Sequence, residues 1–250
     1  MRYIRLVKNV SNWWLHFAVK MGFARSDPLI FRIRNNIVME VPIRLLHVFK
    51  EIFMEECYTR RLAFRLPDRP TIIDIGANAG FFSLFAASRF PGATIIAFEP
   101  IAINFKQLKR NRNLNKNACI FCRQMAVYGH SGEVLLTFDP DDSFTTAASV
   151  IGKENRQKGT VKVASVTLAD IFDEYQLERC DFLKMDCEGS EYDILYNCPD
   201  KYLHRVIQMA LEVHQGTETN HNIESLAHYL NSHDFRTYRS DHMLYVSRKS

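Results

Sequence analysis

From residue 71 onward, short apolar runs alternate with helix-length stretches, and no other feature of the chain restricts its fold as strongly. Strands buried on both faces by crossover helices lose the polar alternation of a half-exposed strand, so the pattern predicts a mainly parallel sheet between two helical layers. The strand candidates are 71–75, 94–98, 119–122, 182–185 and 206–211, with helices after Gly80, Ile101, Thr167, Glu191 and Asn222. Residues 235–239 and 243–248 flank a turn and predict a terminal antiparallel hairpin. The expected fold is therefore α/β and Rossmann-like, with a seven-stranded, mainly parallel sheet.

Residues 1–70 precede this alternation and read as a helical and hairpin appendage; 71–250 form the main domain. Ile4, Val7, Val10, Trp13, Trp14, Phe17 and Met21 repeat at helical spacing, with Arg5, Lys8, Asn12, His16 and Lys20 on the other face. One basic amphipathic helix over 4–21 is expected. It is too short and too interrupted to cross a bilayer, which leaves it packing on the domain or making peripheral membrane contact. A hairpin of 29–34 and 37–41 turns at Asn35-Asn36, and a helix runs from Pro42 to Tyr58.

The chain carries a net charge of +4, yet residues 1–50 hold nine Lys/Arg against Asp27 and Glu40, a local +7, and the remainder carries −3. A nucleic-acid binder would spread basic charge over its main domain, so no nucleic-acid partner is expected. Six cysteines are too sparse for a disulfide scaffold, and no cleavable secretory signal is expected, which suits a reducing cytoplasm. Cys119-Ile-Phe-Cys122 lacks the second Cys/His pair of a zinc set and reads as two strand-associated thiols.

At the end of the first main-domain strand stands Asp74-Ile-Gly-Ala-Asn-Ala-Gly80, a tight small-residue turn that opens a helix. Gly76, Asn78 and Gly80 let a ligand approach the backbone. An acidic residue at the head of the loop would repel a pyrophosphate but suit the ammonium of an amino-acid portion, which favours S-adenosylmethionine over NAD. Glu99 ends the next strand, 25 positions on, where a carboxylate can accept both ribose hydroxyls; Pro100 and Asn104 are expected at the rim.

A third strand end delivers Lys184-Met-Asp-Cys-Glu-Gly-Ser-Glu191 to the same edge, and a fourth delivers Glu212-Val-His214. Asp186, Glu188, Glu212 and His214 are the candidate catalytic residues. His214 leads as general base because imidazole titrates near neutrality, and Asp186 is the alternative. The same four side chains suit magnesium or manganese chemically, but no metal requirement is predicted. Glu191 reads as a helix-start acid.

The D-x-G-x-N-x-G loop, the Phe98-Glu99-Pro100 triplet and the K-x-D-x-E-G-x-E element together resemble the FkbM family of methyltransferases, over residues 30–248. The resemblance implies a class I methyltransferase fold. It also implies S-adenosylmethionine-dependent O-methylation of a sugar, glycan or natural-product hydroxyl, as in polysaccharide biosynthesis, and places Ala126 at the adenine pocket. Two rivals stand beside this: an inactive cofactor-binding partner in a glycan or membrane-associated assembly, and a nucleic-acid methylase. The second is disfavoured because Asp186-Cys-Glu-Gly189 stands where N-P-P-Y or D-P-P-Y would be expected.

Overall fold

The amphipathic pattern of residues 4–21 forms two helices rather than one, α1 (Arg2–Asn9) and α2 (Trp14–Lys20), in the computed structural model, which describes residues 2–138, 149–150, 159–216 and 218–249. The break has a tertiary cause. Asn9 Nδ2 donates to the Phe53 carbonyl at 2.9 Å and to Glu56 at 3.0 Å. Asn12 accepts from the Arg32 N–H and donates to the Ile30 carbonyl, both on the edge of β1 (Leu29–Arg32), while Val10 bridges Ile33. The backbone follows: the Ser11 N–H donates to the Arg32 carbonyl and the Asn9 carbonyl accepts from the Arg34 N–H, in place of the helical bonds these groups would otherwise make.

β1 pairs antiparallel with β2 (Val38–Val41) across Asn35 and Asn36, whose φ values of 56° and 60° give the two consecutive left-handed residues of a tight hairpin. A 3₁₀ turn (Ile43–Leu45), α3 (Leu46–Lys50) and a π-helical turn (Glu51–Glu55) then form one helical run, ended by left-handed Glu56. Phe31 stacks on Phe49 at 4.2 Å, Phe49 on Phe53 at 5.1 Å, and Phe53 meets Phe85 edge-on at 5.4 Å. This aromatic ladder ties the hairpin to the helices behind the main sheet.

The main sheet contains β3 (Thr71–Ile75), β4 (Thr94–Phe98) and β5 (Cys119–Arg123), separated by α4 (Phe81–Arg89) and α5 (Ala102–Asn113). An excursion follows through β6 (Ala126–Val127), β7 (Gly132–Phe138), β8 (Ser149–Val150) and β9 (Gly159–Val166). The chain then continues as α6 (Leu168–Glu174), β10 (Phe182–Met185), α7 (Glu191–Tyr196), α8 (Asp200–Leu203), β11 (Gln208–Glu212), α9 (Ile223–Ser232), β12 (Phe235–Ser240) and β13 (Met243–Arg248). The seven-stranded order is β12-β13-β11-β10-β3-β4-β5, and β13 alone runs against the rest. Ile72 and Ile95 belong to one buried cluster and Ile73 and Ile96 to another, so helices cover both faces. Cys119 and Cys122 both sit on β5.

The order reverses between β3 and β10: the chain leaves β3 toward β5 and returns on the other side. Ligands of open α/β sheets bind at the carboxyl edge of such a switch point. The excursion β6–β9 forms a separate four-stranded sheet, β6-β9-β7-β8, where the sequence reading placed no elements. Its residues Val134 and Leu136 join Ile101 and Ala126 in a small cluster over one side of that edge. Among the described residues no helix is long and apolar enough to cross a membrane.

Two asparagines of the α5 region pair the free edge of β2. Asn115 accepts from the Val38 N–H (2.8 Å) and donates to its carbonyl (2.7 Å). Fully buried Asn111 accepts from the Glu40 N–H (2.8 Å) and donates to the carbonyls of Glu40 (3.2 Å) and Ala79 (2.8 Å). Asn111→Leu strands three backbone groups at once and should cost about 3 kcal/mol in urea unfolding, more than a buried polar-to-apolar change that leaves no partner unpaired.

Candidate functional site

The Asp74–Gly80 loop leaves β3 beside the end of β10, and the two segments touch backbone to backbone. A Cβ built on Gly76, whose φ is +70°, would lie 1.7 Å from the Asp186 carbonyl oxygen, so only glycine permits this approach. Gly80 caps α4 at φ +82°, and a Cβ there would meet the Leu108 side chain at 2.4 Å. Asn78, also left-handed, presents its N–H to Glu99.

Lys184 underpins the loop. It is a cross-strand neighbour of Asp74 and only 3% exposed, in a strand otherwise composed of Phe182, Leu183 and Met185. Its Nζ lies 3.3 Å from Asp74 Oδ1 and 3.8 Å from Asp186 Oδ2, and donates to the carbonyls of Gly76 (2.6 Å) and Ile75 (3.2 Å). Burial opposes the charge, but Asp74 and Asp186 outweigh it and hold the lysine pKa above its ordinary value. Asp74, fully buried, also accepts from Ser83 Oγ at 2.6 Å. The cation that Asp74 meets is thus Lys184, and Asp74 lies beneath the loop rather than on the cavity wall.

The cavity above the loop has a volume of about 280 Å³. At one end stands Glu99, 4% exposed, accepting from the N–H groups of Asn78 (2.8 Å) and Ile101 (2.9 Å) and from Asn104 (3.5 Å). Burial pushes its pKa up to about 7 against these hydrogen bonds. Pro100, Ile101, Met125, Ala126, Val127 and Leu136 give this end an apolar wall, the last three contributed by the second sheet.

The other end is acidic. Asp186, Glu188, Glu212 and, from the N-terminal helical run, Glu51 line it together with Tyr58. Tyr58 Oη lies 2.9 Å from Asp186 Oδ2 and 3.2 Å from Glu212 Oε2. One phenolic proton cannot serve both carboxylates fully. Burial and the charge of Asp186 raise the Glu212 pKa, while the Tyr58 hydroxyl, shared between the two carboxylates, works against that rise. Burial likewise raises Glu188 to about 7 against the pull of His214.

His214 stands behind this wall. Its Nδ1 lies 3.1 Å from Glu191 Oε1 and its Nε2 3.5 Å from Glu188 Oε2. Burial disfavours the cation, but the Glu191 hydrogen bond and the surrounding carboxylates overcome that and raise its pKa to about 9. Glu191, fully buried, also accepts from the Cys187 N–H, so it orients His214 as well as opening α7. Asp186, Glu212 and His214 each offer one ligand atom within 4.8 Å of the others.

The edge therefore gathers Gly76, Asn78, Glu99, Pro100, Asn104, Ala126, Asp186, Glu188 and Glu212 around one cavity, with Asp74, Gly80 and His214 off its wall. The sequence reading gave Lys184 no role, although a lysine inside an apolar strand signals a buried carboxylate partner. It also missed Glu51 and the hydrogen bonds of Tyr58 to Asp186 and Glu212.

Two outcomes follow. Lys184→Met leaves Asp74 charged and uncompensated and should cost about 3–5 kcal/mol of stability, while adding Asp74→Asn should recover much of the loss in a double-mutant cycle by chemical denaturation. The raised His214 pKa stabilises the fold fully below its ordinary value of 6.5, and that contribution is lost as pH rises through about 9. The stability difference between wild type and His214→Gln should accordingly shrink by on the order of 2 kcal/mol between pH 6 and pH 10.

Residues 74–237 match the family model described as the methyltransferase FkbM domain. Methyltransferase sdnD of Sordaria araneosa is 31% identical over 206 residues, covering 72% of this chain and 78% of that protein. The 31-O-demethyl-FK506 methyltransferase FkbM of Streptomyces tacrolimicus is 29% identical over 193 residues, covering 67% and 74%. The crystal structure of methyltransferase FkbM from Methylobacillus flagellatus superposes with a TM-score of 0.52 at 18% identity, over 81% of this chain and 54% of that one, and shares its fold. The chain thus spans about half the length of that solved relative. With both motifs joined at one switch point of this sheet, the chain belongs to the FkbM methyltransferase family.

Proposed function

We propose that this methyltransferase uses S-adenosylmethionine to methylate a hydroxyl of a sugar, glycan or natural-product acceptor. The two-ended cavity carries the reading: a buried carboxylate with an apolar wall at one end, and a proton-sharing acid cluster at the other. The residues present fit the cofactor. Glu99, which burial disposes toward protonation, gains from two hydroxyl donors, and the apolar wall at Ala126 suits a flat ring. When bound, S-adenosylmethionine supplies an electrophilic methyl group.

In this reading Asp186 takes the hydroxyl proton of the acceptor. It lines the cavity, Lys184 stands 3.8 Å away, and Tyr58 and Glu212 redistribute the proton behind it. His214, held as a cation between two carboxylates, is a positioning residue for Glu188 and the turn before α7, and Asp74 positions the loop through Lys184. The Streptomyces relative, whose name specifies a 31-O-demethyl compound, supports an oxygen acceptor. All six cysteines are free, and a cytoplasmic setting forms part of the proposal.

Purified protein should bind S-adenosylmethionine in calorimetry, with Glu99→Ala weakening binding by about tenfold or more. Transfer of labelled methyl to a hydroxylated acceptor should fall by about 10²–10⁴ in kcat for Asp186→Asn, and should persist in EDTA. Loss in EDTA with recovery on magnesium would assign Asp186, Glu212 and His214 to a metal instead. Tight cofactor binding with no turnover on glycan, lipid and natural-product panels would favour the inactive partner.

A further inference from the structure

A second cavity, of about 240 Å³, lies among α1, α2 and α3 and is lined by Arg2, Tyr3, His16, Lys20 and Lys50 on its polar side. No methyl-transfer residue reaches it. Its chemistry is one-sided: three cationic side chains converge, and the one acidic partner among the described residues is Glu55, 3.7 Å from Arg2 Nε. Lys20 and Lys50 have no carboxylate in ion-pair range among the described residues. The imidazole of His16 is 5% exposed, and its Nδ1 has no hydrogen-bond partner in the protein. Burial, then Lys50, Arg2 and Lys20, lower the His16 pKa, which reports the positive potential inside the pocket. A buried imidazole on the wall of a pocket that gathers three cations fits an anion that accepts several hydrogen bonds at once.

The pocket opens beside an unusual surface. Tyr3, which lines it, packs on Phe17 at 5.4 Å, and Phe17 meets Trp13 at 6.0 Å, so the aromatic patch is continuous with the cavity. Ile4, Trp14 and Met21 are 62%, 57% and 62% exposed, and Phe23 is 80% exposed. α1, α2 and the turn between them thus place Leu6, Asn9, Val10 and His16 inward and leave a second apolar face uncovered. A +7 segment that carries exposed tryptophans around a basic pocket has the composition of an interfacial membrane anchor, in which aromatic rings enter the headgroup layer and cations meet its phosphates.

We infer that α1 and α2 dock this chain on an anionic bilayer, with the Arg2–His16–Lys20–Lys50 pocket seating the phosphate of a lipid headgroup. Because α3 contributes Lys50 to this pocket and His47 and Val48 to the methyl-transfer cavity, docking sets that cavity one helix away from the lipid surface. The inference does not depend on the identity of the acceptor.

Co-sedimentation of the full chain with phosphatidylcholine vesicles, with and without phosphatidylglycerol, tests it. Partitioning should rise by about tenfold or more with the anionic lipid and fall as salt is added. Lys20→Glu/Lys50→Glu should abolish the gain, and Trp14→Ser should weaken it several-fold, both with unchanged S-adenosylmethionine affinity as the control for folding. If the double variant does not fold, Lys20→Ala and quenching of tryptophan fluorescence by brominated lipid in the wild type read the same contact. Equal partitioning onto neutral vesicles, unchanged partitioning of the variants, or no quenching overturns the proposal. Saturable binding of inorganic phosphate without vesicle binding would reassign the pocket to a free phosphate compound, and tighter binding of a single-stranded RNA oligonucleotide would reassign it to nucleic acid.

Discussion

The buried Lys184–Asp74 pair is the interaction on which the rest of the site depends. Removing two charges from water consumes most of what their attraction returns, so such a pair contributes little net stability compared with apolar residues of the same size. Its value here is positional. The lysine ammonium has more donors than one carboxylate needs, and it places the others on the Ile75 and Gly76 carbonyls, where the strand becomes the loop. The missing Gly76 side chain lets the Asp186 carbonyl rest against that backbone. The loop and the acidic strand end are thereby fixed relative to each other by a cation from one strand and a glycine from the other.

The acid cluster above the pair obeys the same electrostatic constraint in the opposite sense. Asp186, Glu188, Glu212 and Glu51 share one wall, and like charges so close cannot all ionise freely. The structure resolves the conflict in two ways. Cations sit behind the wall, Lys184 beneath Asp186 and His214 between Glu188 and Glu191. Protons are also retained in front of it, with burial raising Glu51, Glu188 and Glu212 and Tyr58 bridging two of the carboxylates.

Much of this was legible in the sequence, for identifiable reasons. Strands β3, β4 and β10 coincide with their apolar runs because each is buried on both faces, and the Asn35-Asn36 turn was readable because only a few residues tolerate two left-handed positions in succession. Long-range pairing was not legible. The helix expected over 4–21 breaks because Asn9, Val10 and Asn12 find partners elsewhere in the chain, which helical periodicity cannot register. The second sheet was missed although Val134 and Leu136 alternate with more exposed neighbours, because alternation over so few residues is a weak signal. Tyr58 stands 128 residues from Asp186, and nothing local in its sequence marks it as a partner of that acid. The histidine that looked best suited to be a base sits between two carboxylates that raise its pKa to about 9, since a sequence shows which groups converge but not which of them will be charged.

Residues before 71 complete the cavity rather than merely cover it. Tyr58, Glu51 and His47 line the acidic end, and Phe53 and Phe49 anchor the run that carries them against Phe85 and Phe31. Asn111 and Asn115 hold β2 by its backbone groups, and Asn111, which touches both Glu40 and Ala79, joins the hairpin to the loop after β3. Displacing the hairpin would therefore pull on the loop carbonyl of Ala79 and on the phenol that bridges Asp186 and Glu212. A five-residue helix, α3, lies between the acidic cavity and the basic pocket, so carboxylates gather on one side of it and ammonium groups on the other, two opposite potentials held apart by a single helical turn of backbone.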